Sequence, residues 1–93
     1  MKKYVVVVEG ANIRFRERPG ARSGLFTTRR VEAKAIAEAE KLAIDLVKDE
    51  LASIGATCEA GDDPPVFSID ESYEVGSFDG HIVPGKGFSL YEM

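Results

Sequence analysis

The apolar pattern begins with Tyr4 to Val8, five residues whose β-branched valines mark a buried strand. Tyr4, Val6 and Val8 share one parity, whereas Ile13 and Phe15 take the other, so the register is reset near Gly10. Two geometries achieve this. A two-residue hairpin through Gly10-Ala11 sets Val8 opposite Ile13 and Val6 opposite Phe15, with glycine at the first central position of a type II′ turn. A β-bulge within one long strand restores the face equally well. The glycine favours the hairpin. Under either geometry Arg14, Arg16 and Arg18 form a row opposite Ile13 and Phe15, because side chains alternate along a strand.

Arg18 to Gly24, with Pro19-Gly20 and Ser23-Gly24, is predicted to be a surface loop. Leu25 to Glu32 resumes strand character and feeds an amphipathic helix from about Ala35 to Ala52. Ala35, Ile36, Ala39, Leu42, Ala43, Leu46 and Val47 fall on its buried arc, and Lys34, Glu38, Lys41, Asp45, Lys48 and Asp49 lie opposite. Ile44 and Leu51 sit on the flank, where a loop or a second chain would cover them. No capping side chain precedes this helix, whereas Gly55 supplies a stop.

Gly61-Asp62-Asp63-Pro64-Pro65 is a stiff polar turn into a further strand, Val66 to Val75. There Phe67, Ile69, Tyr73 and Val75 share one parity. Glu71 falls on that apolar parity and breaks it, which places it at a rim or against an arginine, Arg29 or Arg30. Gly76 to Gly87 has no periodicity and reads as a long loop before a last strand, Phe88 to Met93. The elements add up to an α+β fold of two layers, an antiparallel sheet of four to five strands with one long helix packed on one face. Val5 and Val7 then point to the uncovered side, which self-association into a homodimer would close.

With 93 residues, 44% hydrophobic and 30% charged, residues 1–93 are expected to form a single domain around one core. The start of the chain resembles a secretory signal, but Glu9 interrupts the apolar run too early, so a cytoplasmic protein without a membrane segment is expected. Cys58 is the only cysteine, which rules out an internal disulfide and a CxxC pair. The net charge of −4 conceals an asymmetry: residues 1–34 carry +6 and the remainder −10. Such segregation suits a nucleic-acid or acidic-protein partner, or else strands of opposite charge lying side by side.

Four strings occur in order along nearly the whole chain: Glu9 to Phe15 (EGANIRF), Gly24 to Ala33 (GLFTTRRVEA), Asp62 to Val66 (DDPPV) and Val83 to Phe88 (VPGKGF). Together they resemble a group of small uncharacterised bacterial proteins. The resemblance implies a stand-alone bacterial α+β domain with no assigned activity, and no catalytic residues to transfer. Lys34-Ala35-Ile36 departs from that group's pattern, which has a polar, capping-type start to the helix.

No catalytic, cofactor-binding or metal-binding motif is present. His81, near Ser77 and Asp79, supplies the vocabulary of a triad, but residues so close on one loop lack the rigid placement that nucleophilic catalysis needs. Asp62, Asp63, Asp70, Glu71 and Asp79 match no EF-hand, and HExxH is absent. Gly85-Lys86-Gly87 is too short for a phosphate loop and precedes a strand rather than a helix. The arginines have more content: Arg14, Arg16 and Arg18, joined by Arg29 and Arg30 from a neighbouring strand, are candidates for binding phosphates or an acidic protein. The leading expectation is therefore a non-enzymatic, self-associating interaction module. A nucleic-acid binder using the arginine row is the first alternative, although no reader helix or RNP pattern accompanies it. A small enzyme or metal-binding protein centred on residues 76–87 is the second.

Overall fold

The computed structural model describes residues 1–15, 22–57 and 65–92. Its elements run β1 (Lys2–Phe15), β2 (Ser23–Ala33), α1 (Ile36–Ser53), β3 (Ala56–Thr57), β4 (Val66–Val75) and β5 (Ser89–Glu92). The main sheet has the order β4-β1-β2-β5 with antiparallel neighbours, and the short β3 pairs with Arg14 and Phe15 at the end of β1. Both β2 and β4 run antiparallel to β1, so they are parallel to each other on its two sides. The chain between them carries α1 across one face as a crossover. The protein is α+β, with one helix on one face of an antiparallel sheet.

Strand alternation decides what the helix covers. Tyr4, Val6 and Val8 of β1 and Leu25, Val31 and Ala33 of β2 form the buried floor, with Ile13. Above them lie Ala39, Ala43, Val47 and Leu51, a stripe at four-residue spacing along α1. Ile44, Leu46, Phe67, Ile69 and Phe88 pack around its margin. This stripe is narrower than the arc expected from periodicity. Ile36 is 42% and Leu42 39% exposed, whereas Leu51, expected on the flank, is fully buried. Alanines at 39 and 43 bring the helix close to the sheet, and a helix so seated covers its own central row and leaves the sides of its arc in water.

The helix occupies Ile36–Ser53, so it both starts and ends one residue later than the predicted range. Ala35 is extended and gives no side-chain cap, but the Glu38 carboxylate accepts from the Lys34 backbone N–H at 3.4 Å. Gly55 ends the helix with φ of 81°, a conformation that glycine adopts without steric cost, and its N–H donates to the Ala52 carbonyl.

Two bulges reset strand parity. The first corrects the hairpin expected at Gly10. Pairing with β2 continues from Gly10↔Leu25 to Ile13↔Ser23, so β1 is one strand with an extra residue. Asn12 absorbs it at φ of 60°, in the left-handed region that asparagine tolerates. Gly10 serves packing rather than a turn, since a Cβ there would come within 3.1–3.3 Å of the Leu25 and Phe67 side chains.

The second bulge corrects the reading of β4. Val7 pairs with Glu71 but Val8 with Ile69, leaving Asp70 as the extra residue. Phe67 and Ile69 therefore face the helix, whereas Glu71, Tyr73 and Val75 turn to the opposite side. Ser72 turns inward in their place, and its hydroxyl donates to Glu40 of α1 at 2.5 Å. Glu71 broke the apolar parity because the parity itself slips one residue earlier.

Among the described residues, no helix is long and apolar enough to cross a membrane. The burial pattern gives a direct test of how α1 is seated. Leu51→Ala should cost about 2–5 kcal/mol in urea unfolding, and Leu42→Ala no more than about 0.5 kcal/mol. Similar losses at the two positions would contradict the narrow stripe.

Candidate functional site

Arg29 and Arg30 are neighbours on β2, so their side chains leave opposite faces of the sheet. Arg29 turns toward the helix and is 1% exposed. Its guanidinium donates through Nη1 to the Gly85 carbonyl and through Nη2 to the Gly87 carbonyl at 3.3 Å. Nη2 also meets Oε1 of Glu50, on α1, at 3.1 Å. The other Glu50 oxygen accepts from the Gly87 N–H at 2.9 Å. Phe88 lies 5.4 Å from the guanidinium carbon, within cation–π range. Nε has no acceptor among the described residues.

This cluster fixes the segment before β5 to the rest of the fold. Thr27 Oγ1 donates to the Gly87 carbonyl at 2.8 Å, and the Arg30 backbone N–H donates to the Pro84 carbonyl at 2.8 Å. Gly85 passes so close to β2 that a Cβ would sit 2.9 Å from the Thr28 carbonyl oxygen, and its φ is 97°. Gly85 thus admits close contact with β2, whereas a Cβ at Gly76, Gly80 or Gly87 would meet nothing within 4 Å. Beyond it β5 pairs with Ser23–Phe26, and Tyr91 stacks 5.4 Å from Phe26. The Tyr91 ring fills the space that a side chain on Gly24 would need. Its hydroxyl donates to Glu9 at 3.1 Å, and desolvation, followed by the Glu9 carboxylate, raises the phenol above its usual 10.0.

The face away from the helix carries the candidate site. Register places Tyr73, Val5 and Arg30 in one row across β4, β1 and β2, and Glu71, Val7 and Thr28 in the next. Lys3 stands at one end of β1, held by Glu32 at 3.3 Å, and Glu9 stands toward the other. Register points Val5 and Val7 to the side away from the helix, as expected, yet neighbouring side chains leave Val5 only 7% exposed and Val7 half-buried, while Tyr73 and Phe26 remain 45% and 38% exposed. At the β2 margin this face deepens into an open cavity of about 580 Å³, lined by Val7, Phe26, Thr28, Arg30, Ile82 and Lys86, among others.

Of the arginines expected to act together, the structure describes Arg14, Arg29 and Arg30. Arg14 follows Ile13 on the opposite parity and pairs in register with Thr57, while Arg30 lies on the open face. Arg29 does not join them, because alternation sends it inward, and its charge is taken by Glu50 rather than by Glu71. Arg16 and Arg18 lie outside the described residues, as do Cys58, Asp62 and Asp63. His81 is exposed and its backbone N–H closes a turn onto the Phe78 carbonyl at 3.0 Å; Ser77 Oγ accepts from the Asp79 N–H at 3.4 Å. Among the described residues, no three His, Cys, Asp or Glu side chains converge on a position for a metal ion.

Glu50 escaped the sequence reading, although one signal marked it. An acid in the last turn of a helix opposes the macrodipole, and no basic residue accompanies it there. Such a residue needs a compensating partner from elsewhere. Comparison of the chain with protein-family models, with curated proteins and with solved structures finds no match in any of the three.

Removing one member of the buried pair strands the other. Arg29→Ala should destabilise the protein by about 3–5 kcal/mol in urea unfolding, against about 0.5 kcal/mol or less for Arg30→Ala. Glu50→Gln should speed hydrogen exchange at the Gly87 and Arg30 amides before any other part of the sheet. At Tyr91 the raised phenol pKa fixes the sign: this contribution is complete below pH 10.0 and is lost as pH rises through the higher folded-state value. Alkaline unfolding should therefore lose part of its pH dependence in Tyr91→Phe, and an unchanged profile would remove the Glu9 contact from the account.

Proposed function

We propose that this chain is a small non-enzymatic interaction module of the bacterial cytoplasm, and that it self-associates through the β1–β4 half of its open face. The observation that carries the reading is the second bulge. By turning Tyr73 and Val75 away from the helix, it adds them to Val5 and Val7 on the face opposite α1, which no helix among the described residues covers. A small domain with so many apolar side chains on one uncovered layer gains core by pairing that layer.

The charges favour a second copy as the partner. Lys3 lies at one end of the patch, and Glu71 and Glu9 lie toward the other. A two-fold arrangement that reverses the strands brings Lys3, already beside Glu32, over the partner's acidic end, where it meets further carboxylates, the self-complementarity an isologous interface requires. The nucleic-acid alternative loses support, since the burial of Arg29 takes one cation from its row and the net charge is −4.

Sedimentation velocity or light scattering at micromolar concentration tests the proposal. The native chain should be dimeric, and Val7→Asp and Tyr73→Asp should each yield folded monomers, because a buried unpaired carboxylate opposes association. A native protein that stays monomeric at those concentrations defeats it.

A further inference from the structure

The β2 margin of the open face, which shares only Val7 with the half assigned to self-association, has a chemistry of its own. There the face ends against residues 82–89, which form the wall of the 580 Å³ groove. We propose that this groove binds a small amphipathic carboxylate, with its apolar body against Val7, Phe26 and Ile82 and its charged group between Arg30 and Lys86.

Charge is the first support. Arg30 and Lys86 both line the groove, and neither makes an ion pair or side-chain hydrogen bond among the described residues. The chain as a whole is negative, so two uncompensated cations converging on one cavity are a local feature. A guanidinium presents paired donors that match the two oxygens of a carboxylate, and an ammonium adds a second, adaptable contact.

The apolar lining is the second. Ile82 is 69% exposed and Phe26 38%, and both line the groove together with Val7. Apolar walls with a few convergent polar groups, in a volume of about 300–1,000 Å³, are the usual form of a small-molecule site. Thr28, also in the lining, offers a hydroxyl to orient the ligand.

Rigidity is the third. The wall does not hang free, because the Arg30 amide holds Pro84, Thr27 holds Gly87, and Arg29 with Glu50 grips Gly85 and Gly87 from beneath. Arg29 satisfies its own charge with Glu50 on the helix side and in doing so sets the backbone that positions Lys86. The backbone positions from which Arg30 and Lys86 extend are thereby held before any ligand arrives, which lowers the ordering cost of binding.

Octanoate is a suitable probe, with octanol and acetate as controls, followed by amide chemical-shift titration of the full chain. Octanoate should give saturable shifts at Val7, Phe26, Thr28 and Lys86 and bind at least about tenfold more tightly than either control. Arg30→Gln and Lys86→Gln should each weaken it by about tenfold without altering the melting temperature, and Ile82→Ser should weaken octanoate while leaving acetate unchanged. Equal binding of octanol and octanoate, shifts that map elsewhere, or no saturable shift at millimolar octanoate overturns the proposal. The two readings fail separately: a monomer that binds octanoate removes only the dimer, and a dimer indifferent to octanoate removes only the ligand site.

Discussion

A guanidinium taken out of water has five donors to satisfy, and whatever supplies the acceptors becomes fixed to it. In this protein the acceptors come from places far apart in sequence: Glu50 near the end of the helix, and the Gly85 and Gly87 carbonyls in the segment that follows β4. Arg29 stands on β2, so one side chain joins the sheet, the helix and the chain leading to β5. The Glu50 carboxylate reinforces the junction by also accepting from the Gly87 amide. A buried pair of this kind is not a strong net source of stability compared with apolar packing, but breaking it is costly, and it admits one arrangement of its partners. Its role here is to specify where the C-terminal segment lies.

That placement shapes the outer half of the open face. With residues 84–87 held along β2, β5 can add to the sheet, Tyr91 can close over Gly24, and the wall beside Arg30 acquires a fixed form. The inner half depends on the bulge at Asp70. The same slip that withdraws Ser72 to the helix side presents Tyr73 and Val75 outward. One face of the sheet is thus committed to the core, and the other combines an apolar centre with charges that no helix neutralises. Both functional proposals concern this second face, its β4 side for a copy of the chain and its β2 side for a small carboxylate.

Much of this fold was legible from residue order. The valines of β1, the alternating β2 and β4, the single amphipathic helix with Gly55 after it, and a last strand beyond Phe88 all follow from periodicity and turn chemistry, which act over a few residues. So does the outward direction of Val5 and Val7. The open face was foreseeable, although the full set of side chains on it was not. Alternation carried unbroken through Asp70 puts Tyr73 and Val75 on the same face as Phe67 and Ile69, whereas a bulge is decided by how two strands pair rather than by either one alone.

The amino-acid order by itself determined which stretches become strand and helix, because local sterics and hydrophobic period suffice for that. Tertiary structure alone decided that Asn12 and Asp70 would be bulges, that Leu51 would be buried and Leu42 left in water, and that Arg29 and Arg30 would have opposite roles. Each of those outcomes needs partners brought together across tens of residues, and a side chain's acceptors, unlike its propensity, exist only once the chain has folded around it.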